Sequence, residues 1–317
     1  MRILIIGAGS LGLLYAGFLA KNNEITVVCS DRFAEKLRKS GLTIENLSNQ
    51  EIHVPNLQVY SKSDQTIHDL AAHRFDICII ATKVYDLSKA LSDYEAVISN
   101  TPLLFLLQNG LGNEELAMQK FSHKILYRII TSHGALMKNN DRVTHTGRGK
   151  TILCRINPNE NTNDYAQLVE FLFLELDKAQ FEPEISPQPL ETIWRKALIN
   201  IGINPFGALT GLTNGKILEV PGLPSIIRAT VGEALLIAKK MGIPLLDDID
   251  YTQSVFDVIA ATARNRNSML QDIENGKSTE IDFLNGRIVE YAKKLGLHTP
   301  LNEMLSSLIH GLEKSTG

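Results

Sequence analysis

A glycine-rich turn, GAGSLG at Gly7–Gly12, stands directly behind a short apolar run, Arg2–Ile6, and opens onto a helical segment, Leu11–Lys21. Strand, tight turn and helix in that order leave few folds open. Gly7 makes the turn, Gly9 lets a backbone approach a pyrophosphate, and Gly12 allows close helix–strand packing. The new helix then presents unpaired N–H groups and the positive end of its dipole to the phosphates. The dinucleotide candidates are therefore Gly7, Ala8, Gly9, Ser10, Leu11 and Gly12.

Further buried strands are expected at Ile25–Cys29, Ile77–Ala81 and Leu103–Leu107, apolar runs without polar alternation. Helical patterns lie after the first strand and after Lys83. Alternation of this kind predicts a parallel, doubly wound sheet with ligands at the carboxyl ends of its strands. Gly41–Tyr60 and Ile125–Cys154 read as antiparallel additions, and Asp164–Asp177 as an amphipathic helix. Glu182–Pro189, with three prolines, reads as an interdomain connection. Helical periodicity follows, at Leu190–Leu209, Ile226–Met241, Tyr251–Asn265, Glu280–Leu295 and Asn302–Glu313. The expected fold is thus α/β, an N-terminal doubly wound Rossmann-type domain over 1–184 and a C-terminal all-α domain over 185–317.

The 317 residues suffice for two domains, and a net charge of -3 gives no electrostatic reason to expect nucleic acid. No apolar stretch approaches the length of a membrane span, and Met1–Ile6 is too short for a signal peptide. Cys29, Cys78 and Cys154 are widely spaced and odd in number, which favours buried free thiols in a reducing cytoplasm over a disulfide or a metal site.

Chemistry concentrates on the helix WRKALINIGINP, where Lys196, Asn200 and Asn204 recur at spacing four along one face. The neighbours of Lys196 on that face are amides rather than acids, as in the wall of a polar pocket, although a polar helix face is more often simply solvated. Pro205 is expected to bend or restart the helix at Asn204. Lys83 and Asn109 follow apolar strands and so stand at ligand-facing strand ends, where Lys83 also reads as a solvated surface lysine, and Asn109 either bonds substrate or nicotinamide or simply makes the turn into the helix beginning near Asn113. Ser268 and Glu280, taken singly, also read as structural, Glu280 as a first-turn carboxylate favoured by the helix dipole between the helix-end candidates Thr279 and Asp282, and His145, in HTGRG, as a structural histidine. For the cofactor, the second strand ends in Cys29 and Ser30 rather than a carboxylate, with Asp31 close by. Ser30, Arg32 and Lys83 are available to a 2′-phosphate, and the balance favours NADP.

Taken in order, GAGSLG, ATK, QNGLG, HTGRG, WRKALINIGINP, NSMLQD and TEIDFLNG resemble the ketopantoate reductases along nearly the whole chain. The resemblance implies reduction of 2-dehydropantoate to (R)-pantoate by NADPH, a step of pantothenate and coenzyme A synthesis. It implies Lys196 as the catalytic proton donor, with Glu280 supporting it. Asn109, Asn200, Asn204 and Ser268 would position the substrate, drawing on both halves of the chain. The partners expected are a small 2-oxo acid and a second copy of the chain in a homodimer, without nucleic acid or membrane. Members of the family carry an arginine where this chain has Ser30. Either Arg32 replaces it, or the chain relaxes toward NADH, as in D-2-hydroxyacid dehydrogenases acting on branched or aromatic 2-oxo acids. A non-catalytic NADP-binding sensor is the remaining alternative.

Overall fold

The structure, a computed structural model, describes residues 1–157 and 163–316. They form two compact units: Met1–Gln108 with Asn113–Pro189, and Asn109–Gly112 with Leu190–Gly317.

The first unit is built on twelve strands: β1 (Arg2–Ile6), β2 (Glu24–Cys29), β3 (Leu42–Glu45), β4 (Glu51–Val54), β5 (Gln58–Ser61), β6 (Ile77–Ile80), β7 (Leu103–Leu106), β8 (Ile125–Thr131), β9 (Gly134–Asn139), β10 (Arg142–Gly147), β11 (Thr151–Arg155) and β12 (Pro183–Ile185). Its helices are α1 (Ser10–Leu19), α2 (Asp31–Ser40), α3 (Leu87–Asp93), α4 (Glu95–Asn100), α5 (Asn113–Phe121) and α6 (Asn163–Lys178). The main sheet runs β12-β11-β8-β7-β6-β1-β2-β5. Its central pairs are parallel, and only β11 meets β8 antiparallel. Read from β5 to β8, the strand order is that of a dinucleotide-binding doubly wound fold.

The sequence pattern explains why these strands sit at the centre. Ile3, Ile5, Val27, Ile79 and Phe105 enter one apolar cluster, and Leu4, Ile6, Val28, Ile80 and Leu106 enter another. Successive side chains point to opposite faces, so a strand that is apolar at every position is covered on both.

The second sheet, β4-β3-β10-β9, packs beside α1. The antiparallel reading of 41–60 holds for β3 and β4 only, because β5 pairs parallel with β2 and extends the main sheet. The stretch 182–189 is also more than a connection: Pro183–Ile185 is an edge strand beside β11. An edge position tolerates a proline, which donates no ladder hydrogen bond.

The second unit is helical: α7 (Pro189–Thr210), α8 (Asn214–Glu219), α9 (Leu223–Lys240), α10 (Tyr251–Ala261), α11 (Ser268–Glu274), α12 (Asn285–Lys294) and α13 (Pro300–Thr316). Pro189, the first residue of α7, falls in the first unit. Two expectations are corrected here. The helix expected from Glu280 starts only at Asn285, after a single 3-10 turn at Ile281–Phe283. And α7 runs unbroken through Pro205. Ile201–Ala208 are all buried, so packing holds the helix together where the proline removes one backbone hydrogen bond.

Candidate functional site

At the glycine turn, local geometry dictates residue identity. Gly7 has φ 114°, and a Cβ there would lie 2.6 Å from the Thr82 amide nitrogen. No residue but glycine meets both demands. Gly9 is the N-cap of α1 and supplies no side chain to cap it, so the helix end is left to another acceptor. A Cβ on Gly9 would find no neighbour closer than the Ala81 oxygen at 3.6 Å, which leaves the backbone approachable. Two polar side-chain atoms at the adjoining strand ends, Thr82 Oγ1 and Gln108 Oε1, are buried without a hydrogen-bond partner among the described residues. An approachable helix end beside orphaned polar atoms fits a dinucleotide. Thr82 and Gln108 did not stand out in the sequence, although each adjoins a residue that did.

Of the residues expected at the adenosine end, Ser30 is the N-cap of α2 and its hydroxyl makes no capping bond. Arg32 is exposed; its Nη2 donates to Asn140 Oδ1 at 3.3 Å and its guanidinium lies 5.7 Å from the Phe33 ring centre. Lys83 sits at the carboxyl end of β6, three residues beyond Ile80, as the N-cap of a 3-10 turn.

In the helical unit the substrate candidates fall into three groups. Lys196, Asn200 and Asn204 share one face of the unbroken α7. Lys196 is half-buried, and burial alone lowers its pKa from the ordinary 10.5. It makes no hydrogen bond or ion pair among the described residues. Ser268 is the first residue of α11, exposed, and is placed by its neighbour Asn267. The Asn267 side chain caps α11 by accepting from the Leu270 amide at 3.0 Å and donates to the Ile203 carbonyl at 3.5 Å. The start of α11 is thereby tied to the turn of α7 that carries Asn204. An Asn immediately before a helical run is a readable capping signal.

The third group joins residues far apart in sequence. Asn109 Nδ2 donates to Glu280 Oε2 at 3.2 Å, with Glu280 buried. The loop 109–112 reaches that partner because Gly110, at φ 89°, lets the chain turn against Phe283, and the Leu111 amide donates to the Phe283 carbonyl at 2.8 Å. Glu280 is thus paired with Asn109 rather than with Lys196. Just before the loop, the fully buried Arg128 forms an ion pair with Glu114 and donates to the Gln108 carbonyl at 2.7 Å, fixing the strand end that delivers Asn109.

His145 is buried in β10, where its Nε2 meets His133 Nδ1 at 3.0 Å, and His133 Nε2 donates to the Phe181 carbonyl at 3.1 Å. Desolvation lowers the pKa of both rings, which act here as packed, hydrogen-bonded core groups. Cys29, Cys78 and Cys154 are buried and form no disulfide among the described residues. No helix among the described residues is long and apolar enough to cross a membrane.

Family models place the rest in context. The ketopantoate reductase model (PanE/ApbA) matches residues 3–158 and its C-terminal model matches residues 189–313. The 2-dehydropantoate 2-reductase of Pyrococcus horikoshii is 36% identical over 318 residues, covering 100% of this chain and 99% of that protein. Among solved structures, a D-mandelate dehydrogenase bound to NADH and anilino(oxo)acetate superposes with a TM-score of 0.88 at 23% identity, covering 100% of this chain and 99% of that one. A dimeric ketopantoate reductase from Staphylococcus aureus gives 0.72 at 21% identity, with both chains fully covered. By both halves of its sequence and over its full length, the chain belongs to the ketopantoate reductase family.

Proposed function

We propose that the protein reduces 2-dehydropantoate to (R)-pantoate, a step of pantothenate synthesis, with NADPH as reductant. The observation that carries this reading is Lys196: half-buried, without an acidic partner among the described residues, and aligned with two asparagines on α7. The glycine turn, with Ala8, Ser10 and Leu11 at the start of α1, holds the pyrophosphate; Ser30, Arg32 and Lys83 serve the adenosine end. When bound, the nicotinamide supplies hydride to the keto carbon.

The chain's own groups manage the oxygen. The Lys196 ammonium hydrogen-bonds the keto oxygen, offsets the charge that develops there and delivers the proton. Burial makes that ammonium a stronger acid than an exposed lysine, which brings it closer to a neutral working pH. Asn200, Asn204 and Ser268 offer hydrogen bonds to the substrate's hydroxyl and carboxylate. Glu280, oriented by Asn109, accepts from a substrate hydroxyl. A homodimer, the state named for the Staphylococcus aureus enzyme, is taken as the assembly. Three buried cysteines without a disulfide among the described residues suit a reducing cytoplasm.

Initial rates of nicotinamide oxidation with 2-dehydropantoate and with 2-ketoisovalerate test the reading, together with chiral analysis of the product. A kcat/KM for 2-dehydropantoate at least about tenfold higher is expected, since ketoisovalerate lacks the hydroxyl that the polar face would hold. Equal or reversed preference would move the activity to another 2-oxo acid.

A further inference from the structure

Arg287 is the third residue of α12, where the helix dipole disfavours a cation. Its side chain is only 17% exposed, and its Nε is buried without a hydrogen-bond partner among the described residues. Both features cost stability, and a buried donor left open calls for a reason. Glu290, three residues on, pairs with Nη1, but it also accepts from Lys294 at 2.8 Å. That pair accounts for one end of the guanidinium and leaves the Nε side unexplained.

What lies against that side is the loop 109–112. A Cβ on Gly112 would stand 2.9 Å from Arg287 Cζ and Nε and 3.1 Å from Nη2. Distances this even place the glycine backbone over the flat face of the guanidinium rather than beyond its edge. The guanidinium carbon also lies 5.4 Å from the Phe283 ring centre and 5.9 Å from that of Tyr291, within cation–π range. Tyr291 stacks in turn on Trp194 of α7, with ring centres 6.1 Å apart. The cation is therefore fixed by two rings, one of them backed by the helix that carries Lys196. Phe283 meets the same loop through its backbone, at the Gly110 turn and the Leu111 amide. The loop is thus held at both glycines, and its first residue, Asn109, donates to Glu280.

We propose that Arg287 is a positioning residue for the reaction: it clamps the loop 109–112 so that Asn109 keeps the Glu280 carboxylate turned to the substrate hydroxyl. The inference rests on the 2-dehydropantoate reading of the site. Lysine does not replace it, because a point charge on a flexible stem presents no flat face to Gly112.

Steady-state kinetics of Arg287→Met and Arg287→Lys test it, with NADPH and either 2-dehydropantoate or 2-ketoisovalerate, which lacks the hydroxyl. In both variants the ratio of kcat/KM for 2-dehydropantoate to that for 2-ketoisovalerate should fall about fivefold or more, through the KM for 2-dehydropantoate. A merely structural loss would lower both substrates alike and leave the ratio where it was. Arg287→Lys keeps the charge and the stem, and carries the measurement if Arg287→Met lowers the melting temperature sharply. A ratio unmoved in the folded variants, or a fall carried by kcat alone, would overturn the proposal. A wild type without preference for 2-dehydropantoate would instead overturn the substrate reading on which it rests.

Discussion

Lys196 carries a conflict that a surface lysine does not: burial opposes its charge, yet the proposed chemistry needs that charge. In the window between its lowered folded pKa and 10.5, the unfolded chain binds the extra proton and the folded chain does not. Stability therefore rises with pH across that window, and below it the burial penalty is at its full size. Lys196→Met, which removes the penalty, should raise the melting temperature at about pH 7 by roughly 2 °C, the shift that ~1 kcal/mol gives in a domain of this size. The gain should narrow toward about pH 10. Scanning calorimetry at the two pH values checks this; a variant less stable at neutral pH would mean that the ammonium is favourably held. The residue was legible in the sequence because spacing four on a helix aligns side chains without any knowledge of the fold. The Asn109–Glu280 pair was not, since 171 residues separate its members and only the loop's packing on Phe283 joins them.

At the level of elements, what mattered was which features packing overrides. The strand–turn–helix at the amino terminus was fully legible, because an apolar run, a glycine turn and an apolar helix each constrain the next. Pro205 misled, because its local cost is met by a helix buried through Ile201–Ala208. Glu280 misled in the other direction: its segment has helical periodicity, but the Leu284 backbone, at φ -116° and ψ -101°, breaks the helix before Asn285. The start of α11 is tied by Asn267 to the turn of α7 that carries Asn204. Asn267→Ala removes both its cap and its link to the Ile203 carbonyl. The expected cost is about 1 kcal/mol of stability, with a severalfold rise in substrate KM and little change in kcat, because the role proposed for Ser268 is to position the substrate rather than to react. Urea denaturation and steady-state kinetics read the two effects separately. A kcat loss matching the KM change would place this helix in the chemical step.

Across the molecule, two units divide the parts of a reductase: one holds the glycine turn, the other holds the lysine-bearing helix. The helical character of the C-terminal region was legible from the change in periodicity after 189, whereas β12 was hidden by the prolines in and after it, and of the antiparallel additions only the strand pairs β3–β4 and β9–β10 belong to the four-stranded sheet. Full-length similarity to a 2-dehydropantoate 2-reductase, with both family models matched in order, agrees with a chain whose halves serve one reaction. The central claim is that Lys196 delivers the proton in that reaction. Its most direct test is the kcat of Lys196→Ala with 2-dehydropantoate, measured beside the calorimetric Kd for NADPH. The account predicts a kcat lower by about two to four orders of magnitude, with an unchanged Kd. A variant that turns over within about threefold of the wild type would contradict it.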